Sequence, residues 1–334
     1  MHMNNSIIAE IGSVHDGSLG NALKLVDLAK ECGADVAKFQ LHIAEYESTI
    51  DAPSPGYFRD EERFDYFNRI AFTKEEWKLI SDHCKDVGIK FMCSPFSLEA
   101  LDLLLEISVD AIKIASGELT NHELIEKSIN SLKPVYISTG MSNYGEINAV
   151  INLVEKSGFL DNIVLMQCSS LYPCPIDLCG VNIVSEFKSK FGVKLGFSDH
   201  TNSNSAAIIS AYLGANFIEK HLTFSNLMYG SDAKYAYVPD KFKTYVSEIR
   251  DAWEIRDNPV DKNNLEPYLE SRRIFQKSLT LKSDLRKGTV LTRGDLTLKK
   301  PGVGIPFSGI DSVIGKRLLQ DFKADYQIKL EDLS

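Results

Sequence analysis

Two histidines, His200 and His221, fall in consecutive β-rich runs, Lys194–His200 and Phe217–Thr223. Imidazoles at neighbouring strand ends can hold a divalent metal and leave several coordination positions to water or substrate. A two-histidine set is an incomplete protein cage, which suits an ion that exchanges ligands during a reaction, such as Mn²⁺ or Mg²⁺. Each imidazole could instead bond neighbouring backbone; the strand-end placement favours ligands. Lys38 and Lys113 lie at the ends of two other runs, and Ser94, Ser116, Ser138, Ser170 and Ser198 flank them. Two ammonium groups, a ring of hydroxyls and the tight turns Ser116-Gly117 and Thr139-Gly140 describe a pocket for a dianion or trianion. Strand-end lysines also form Schiff bases in metal-free aldolases, but an adjacent metal can supply the electrophilic activation instead. Glu10, Glu118 and Asp232 are carboxylates near the same ends, able to bind sugar hydroxyls or move protons. Asp232 stands in a Gly-Ser-Asp sequence that a plain turn would also explain. A polyanion pocket, a metal and carboxylates for a polyol fit an aldehyde sugar attacked by a phosphorylated enol.

These residues need a frame that gathers strand ends. The first 225 residues repeat one pattern: a short apolar run, polar residues, then an amphipathic stretch. The runs are Ile7–Gly12, Asp35–Leu41, Lys90–Phe96, Ala111–Glu118, Pro134–Gly140, Ile163–Ser170, Lys194–His200 and Phe217–Thr223. Helical periodicity covers Asn21–Cys32, Lys74–Val87, Leu98–Ile107, Glu146–Ser157 and Ser203–Leu213. Near-continuous apolar strands alternating with helices mean a parallel sheet covered on both faces. Eight such units predict an α/β fold, a (β/α)₈ TIM barrel; an open doubly wound sheet is the alternative, and no G-x-G-x-x-G follows the first run to support it. In the barrel every strand end meets on one face, where such enzymes place their chemistry. The ends read Glu10; Lys38 and Gln40; Ser94; Lys113, Ser116 and Glu118; Ser138 and Thr139; Ser169 and Ser170; Ser198, Asp199 and His200; Glu219, His221 and Thr223.

Beyond the helical Val246–Arg256, the polar Asp257–Ser271, with Pro259 and Pro267, reads as a linker. The expected divisions are 1–256 for the catalytic barrel, 257–275 for the linker and 276–334 for a small C-terminal domain. In that tail Lys277–Leu281 and the neighbourhood of Lys329 read as short strands, and its size predicts little core of its own. It is expected to dock on a barrel mouth, its own or a partner's.

The net charge of −9 argues against a nucleic-acid partner. It is uneven: residues 276–334 carry 11 Lys+Arg against 7 Asp+Glu, or +4, leaving −13 for the rest. No apolar run approaches the roughly 18 residues of a membrane span. Met1 to Ser6 is polar and Ile7-Ile8-Ala9 meets Glu10 at once, so no signal peptide is read and the expected location is cytoplasmic. The six cysteines form no C-x-x-C pair and read as reduced, buried thiols.

Six segments carry a resemblance: Ala9–Gly17 (AEIGSVHDG), Lys113–Glu118 (KIASGE), Ser138–Met141 (STGM), Tyr172–Pro175 (YPCP), Ser198–Thr201 (SDHT) and Glu219–Thr223 (EKHLT). In order and on the expected strands, they resemble the sialic-acid synthase family of N-acetylneuraminate, legionaminate and pseudaminate synthases. The tail, with Lys299–Gly304 (KKPGVG) and Ile314-Gly315-Lys316, resembles the antifreeze-like (SAF) domain of these enzymes. The resemblance implies a barrel and a domain-swapped homodimer. It also implies a bound Mn²⁺ or similar ion (Mg²⁺ or Co²⁺) on His200 and His221. It implies that phosphoenolpyruvate condenses with an amino-sugar aldehyde. Lys38, Ser94, Lys113, Ser116, Ser138 and Ser198 would hold the carboxylate and phosphate, with Gln40, Ser170 and Tyr172 close by. Glu10, Glu118 and Asp232 would contact the sugar or move protons, and the tail's Lys300 would cover the sugar in the partner's barrel.

Three positions depart from that pattern. Val14 precedes His15 where these synthases usually carry asparagine, and Ser170 stands where asparagine is common. Lys300 precedes Pro301-Gly302 where the family's tail has an arginine, and lysine cannot copy its planar fork. The acceptor therefore stays open between N-acetylmannosamine, a 2,4-diacetamido-trideoxyhexose, mannose and a phosphorylated sugar, with KIASGE leaning to the neuraminate and legionaminate branches. Three rivals stand beside this reading: a 3-deoxy-octulosonate-8-phosphate-type synthase, which would lack the tail; a class II aldolase, which would consume no phosphoenolpyruvate; and an inactive sugar-binding protein.

Overall fold

The computed structural model describes residues 5–54, 61–230 and 232–334; Met1–Asn4 and the Ser231 of the Gly-Ser-Asp sequence lie outside them. Eight parallel strands pair in sequence order and the first pairs with the last, closing a barrel. They are β1 Ser6–Gly12, β2 Val36–Leu41, β3 Lys90–Pro95, β4 Ala111–Ile114, β5 Val135–Ser138, β6 Ile163–Cys168, β7 Lys194–Ser198 and β8 Phe217–His221. The helices between them are α1 Leu19–Glu31, α2 Ala44–Glu47, α3 Arg63–Ile70, α4 Lys74–Val87, α5 Leu98–Glu106, α6 His122–Asn130, α7 Tyr144–Ser157, α8 Asn182–Lys190, α9 Ser205–Leu213 and α10 Pro239–Asp257. The expected TIM barrel is therefore present.

Several strands end earlier than their apolar runs, because the chain leaves the ladder to build the rim. β4 stops at Ile114, and Ser116–Glu118 coil into a 3₁₀ turn. Helix bounds follow local chemistry. Thr73 and Glu76 form a reciprocal capping box at the start of α4, and Gly88 ends it in the left-handed conformation (φ 71°). Asn143 and Glu146 do the same for α7. α10 begins at Pro239, before the expected Val246, because Phe242 and Tyr245 bury an earlier turn.

Period-two alternation assigns each strand an inner face. Ile8, Val36, Met92, Ala111, Tyr136, Val164, Met166 and Phe217 form an apolar cluster of their own, with Tyr136 and Phe217 meeting edge-on at 5.1 Å. Two residues further along the same strands stand Glu10, Lys38, Ser94, Lys113, Ser138, Cys168 and Glu219, which line a cavity. The barrel is thus plugged with apolar side chains below and furnished with polar ones above. The opposite strand faces pack on the helices in the main core.

Contacts divide the chain into two units, Met1–Asn258 and Pro259–Ser334. The segment read as a linker contains helix α11, Leu269–Phe275, which the composition hid because none of its residues is buried. The second unit pairs β9 Ser278–Leu281 with β10 Leu296–Lys299, antiparallel. The residues after Lys329 form a 3₁₀ turn, Leu330–Asp332, rather than a strand. The expectation of little core is also corrected. Leu279, Leu281, Leu291, Leu296, Val313, Leu318, Phe322 and Ile328 are buried together, contributed by short segments whose brevity concealed their convergence. All six cysteines are free and buried. Among the described residues no helix is long and apolar enough to cross a membrane.

Candidate active site

The floor of the cavity is a four-charge network. Glu219 of β8 reaches Lys113 Nζ at 2.8 Å and Lys38 Nζ at 3.2 Å, and Ser198 Oγ donates to it at 2.9 Å. Glu10 lies 2.8 Å from Lys38 on its other side. All four side chains are nearly fully buried, where an unpaired charge would be expensive. Burial alone would push the Lys38 ammonium down, but Glu10 and Glu219 outweigh it and hold its proton more tightly than in an ordinary lysine. Lys113 moves the other way: burial and the Lys38 charge lower it, and Glu219 only partly compensates. Burial would raise Glu219, yet the two lysines hold it well below the usual carboxylate range. The lysines thus enter the cavity already countered by carboxylates.

In the same tier two hydroxyls are unspent. Ser94 Oγ and Ser138 Oγ are buried with no hydrogen-bond partner among the described residues. A buried hydroxyl without a partner costs about 1–3 kcal/mol, a cost that a ligand accepting from it would offset. Gly140 keeps the neighbouring space open. A Cβ there would collide with Ser170 Oγ and stand 2.8 Å from Ser116 Oγ, so any side chain would push apart hydroxyls that now face each other.

His200 and His221 meet on the rim with ring centroids 5.8 Å apart, and the Tyr172 ring lies 4.2 Å from that of His200, tilted by 33°. His200 Nδ1 lies 2.8 Å from the Ser169 carbonyl, a contact that places a proton on Nδ1; burial would lower this imidazole, but the neighbouring Cys168 and the Ser169 carbonyl outweigh it and raise it above its ordinary value. His221 Nδ1 is buried with no hydrogen-bond partner among the described residues, and burial lowers this imidazole towards its neutral, ligating form. Among the described residues no three or more His, Cys, Asp or Glu side chains gather as a metal cage. A pair of imidazoles with an orphaned ring nitrogen fits an ion that takes its remaining ligands from water or substrate.

Further carboxylates complete the lining. Gln40 Nε2 donates to Glu10 Oε1 at 2.7 Å, and Asp232 Oδ2 accepts from Ser13 Oγ at 3.2 Å. They converge on Gly12, whose left-handed φ of 54° and missing side chain are both required: a Cβ would lie 2.6 Å from Asp232 Oδ2. Glu118 accepts from Asn121 at 2.9 Å.

One cavity of about 430 Å³ is lined by every barrel candidate: Glu10, Lys38, Gln40, Ser94, Lys113, Ser116, Glu118, Ser138, Ser170, Tyr172, Ser198, His200, His221 and Asp232. Lys300 belongs to the C-terminal unit, where its ammonium stands 5.1 Å from the Phe275 ring. Other strand-end residues face away. Thr139 Oγ1 donates to the Met166 carbonyl, and Asp199 pairs with Lys220 on the outer side of the barrel. The sequence reading gave no role to Glu219, although alternation with His221 placed it on the inner face. It also missed His42, Arg63 and Phe67 on the cavity wall; His42 continues the alternation of Lys38 and Gln40 one step past β2, which was the available signal.

A closed parallel barrel with a polar, charge-laden cleft at the carboxyl ends of its strands has the architecture of an enzyme. The sequence matches the NeuB family over residues 25–261 and the SAF domain over residues 276–334. The chain belongs to the NeuB family. It is 32% identical to the N,N'-diacetyllegionaminic acid synthase of Campylobacter jejuni subsp. jejuni serotype O:2, covering 97% of this chain and 98% of that one. It is 29% identical to the pseudaminic acid synthase of Helicobacter pylori, covering 98% and 97%. Among solved structures, the N-acetylneuraminic acid (sialic acid) synthetase of Leptospira borgpetersenii serovar Hardjo-bovis, in complex with citrate, superposes with a TM-score of 0.70 at 27% identity, covering 80% of this chain and 91% of that one.

Proposed function

We propose that this protein is a nonulosonic-acid synthase that condenses phosphoenolpyruvate with an open-chain amino-sugar aldehyde, releasing phosphate by C–O cleavage. The acceptor placed first is a 2,4-diacetamido-2,4,6-trideoxyhexose, with N-acetylmannosamine second. The observation that carries the reading is the pairing of unspent Ser94 and Ser138 hydroxyls with the buried Lys38 and Lys113 ammonium groups in one cavity. Such a set suits a small ligand bearing both a carboxylate and a phosphate.

In this reading Lys38, Lys113, Ser94, Ser116, Ser138 and Ser198 hold phosphoenolpyruvate, with Gln40, Ser170 and Tyr172 beside it. The enol carbon attacks the aldehyde carbon, whose oxygen takes up a proton to become a hydroxyl, and positive charge develops at the carbon bearing the phosphate. Water adds there, and the bond from that carbon to the bridging oxygen breaks, so phosphate departs with that oxygen. Glu10, Glu118 and Asp232 orient the sugar, and a carboxylate among them takes the proton lost by the water. Holding both reactants in register is the chief contribution of the lysines and serines. His200 and His221 would hold a divalent cation, Mn²⁺ first, which supplies Lewis-acid polarisation of the aldehyde and orients water. Lys300, from the tail of a second subunit in a domain-swapped dimer, would contact the acceptor's substituent.

Phosphoenolpyruvate labelled with ¹⁸O in its C–O–P bridge tests the cleavage. Label recovered in released phosphate supports the reading; label retained in the organic product contradicts C–O cleavage, and no consumption of phosphoenolpyruvate contradicts the reading and favours the class II aldolase.

A further inference from the structure

We infer that Arg69 is a positioning residue for Asp232, tying together the two loops whose contact sets that carboxylate in the cavity. Asp232 stands in the segment between β8 and α10. Its Oδ2 accepts from Ser13 Oγ at 3.2 Å and from the Ser13 backbone N–H at 3.4 Å. Ser13 belongs to the turn between β1 and α1. Both partners are loop residues, so the contact between them is only as well placed as the two loops are.

Arg69, in the last turn of α3, reaches both loops. Its Nη2 donates to Asp16 Oδ1 at 2.9 Å, three residues after Ser13. Its Nε lies 2.9 Å and 3.0 Å from the two Glu61 oxygens. Tyr229, three residues before Asp232, donates its hydroxyl to the same Glu61 carboxylate at 3.1 Å. The contacts close a ring: Ser13 to Asp232, along the chain to Tyr229, across Glu61 to Arg69, and through Asp16 back to Ser13. The guanidinium carbon also lies 5.4 Å from the centre of the Tyr66 ring and 5.6 Å from that of Tyr229, within cation–π range.

The backbone is shaped for this crossing. Gly17 has a left-handed φ of 76°, and a Cβ on it would stand 3.1 Å from the Arg69 carbonyl oxygen, so the β1–α1 turn packs directly on the end of α3. The β8–α10 segment is fastened at its base by its own bonds. Thr223 N–H donates to the Tyr237 carbonyl at 3.0 Å, and Asn226 Nδ2 donates to the carbonyls of Ala233 and Ala236, each at 2.8 Å. Leu227 beyond that base is 95% exposed, so burial does not hold the tip in place; Tyr229 links it to Glu61. The Arg69, Asp16 and Glu61 side chains are all partly exposed, and ion pairs of that kind contribute little stability. What they contribute here is geometry, through a planar fork that a lysine cannot copy. The role given to Asp232 rests on the proposed function; the tying of the loops does not.

Two measurements test this. The first is amide hydrogen exchange with no substrate present. In Arg69→Met, peptides covering Ser13–Gly17 and Asn226–Gly230 should exchange about fivefold faster than in wild type, with the strand peptides unchanged. Unchanged exchange in both segments overturns the inference whatever the reaction proves to be. The second compares variants in the phosphate-release assay. Arg69→Met should raise the acceptor KM about 10-fold and leave the phosphoenolpyruvate KM within about twofold, because the lysines assigned to phosphoenolpyruvate stand on strands rather than on these loops. Arg69→Lys should fall between Arg69→Met and wild type, and Tyr229→Phe, which removes one hydroxyl and leaves the packing intact, should raise the acceptor KM about threefold. Ser13→Ala added to Arg69→Met should cost little more than either change alone, since both loosen the same carboxylate. An unchanged acceptor KM in Arg69→Met and Tyr229→Phe, equal rises for both substrates, or additive effects with Ser13→Ala overturn the positioning role. Wild-type protein that releases no phosphate removes the proposed function, and the exchange measurement then decides the inference alone.

Discussion

Lys220 Nζ lies 3.0 Å from Asp199 Oδ2, and these two residues immediately precede His221 and His200. Alternation turns the histidines into the cavity and sends the ion pair outward, under the helices. There Lys220 also donates to the Thr201 carbonyl, Tyr245 donates to Asp199 at 3.1 Å, and the Tyr237 ring lies 4.2 Å from the ammonium. Two strand ends that carry one imidazole each are therefore tied together directly behind those imidazoles.

Lys220→Met should cost about 3 kcal/mol of stability, because it strands a buried Asp199 carboxylate. Lys220→Met with Asp199→Asn should recover part of that. Both variants should bind Mn²⁺ about 10-fold more weakly than wild type, the scale of groups that orient ligands. Denaturant unfolding and calorimetric metal titration of folded protein read the two effects separately. Unaltered metal affinity in both variants would make the pair purely structural.

Ser94→Ala should leave the ligand-free protein as stable as wild type or slightly more so, since it removes a buried hydroxyl with no partner. The same change should raise the phosphoenolpyruvate KM by about 10-fold, the worth of roughly one charge-assisted hydrogen bond. Thermal melts and steady-state kinetics check the pair of outcomes, and Ser138→Ala should behave alike.

His15 gives acid sensitivity. Burial, followed by the neighbouring His42 charge, pushes its imidazole down to about 3, while Gly17 N–H donates to its Nδ1 at 3.1 Å. The native state keeps the ring neutral and the unfolded chain protonates it near the ordinary 6.5. Its contribution is therefore fully present above about pH 6.5 and is lost as pH falls towards 3, by about 1 kcal/mol per unit. His15→Gln keeps an acceptor for Gly17 and should flatten the decline in stability between pH 6.5 and 4.5, measured by urea unfolding. Parallel curves for both proteins would show that another group titrates.

Lys300→Arg should restore a planar fork to the tail and shift preference towards N-acetylated acceptors. Ratios of kcat/KM across the acceptor panel measure this, and an unchanged ranking removes Lys300 from acceptor selection.

The barrel was legible because eight apolar runs, each closing on polar residues, alternate with amphipathic helices, and a closed parallel sheet buries such runs on both faces. Candidate residues were legible for the same reason: strand ends converge on one face. Their pairing was not. Glu219 meets Lys113 and Lys38 across 106 and 181 residues of sequence, a contact made only when β8 closes on β1. His42 lay one step past its run, so its link to Gln40 and Glu47 was hidden by the strand's apparent end. The C-terminal core was hidden differently, being assembled from apolar residues in segments too short to show a period.

The most direct test uses chelator-stripped protein, with and without Mn²⁺, incubated with phosphoenolpyruvate and one sugar at a time. The sugars are N-acetylmannosamine, its 6-phosphate, mannose and 2,4-diacetamido-2,4,6-trideoxymannose, and free phosphate is measured. Release is expected to need both Mn²⁺ and an amino-sugar aldehyde and to be fastest with the diacetamido sugar. Folded protein that releases no phosphate with any of them would contradict the assignment as a nonulosonic-acid synthase.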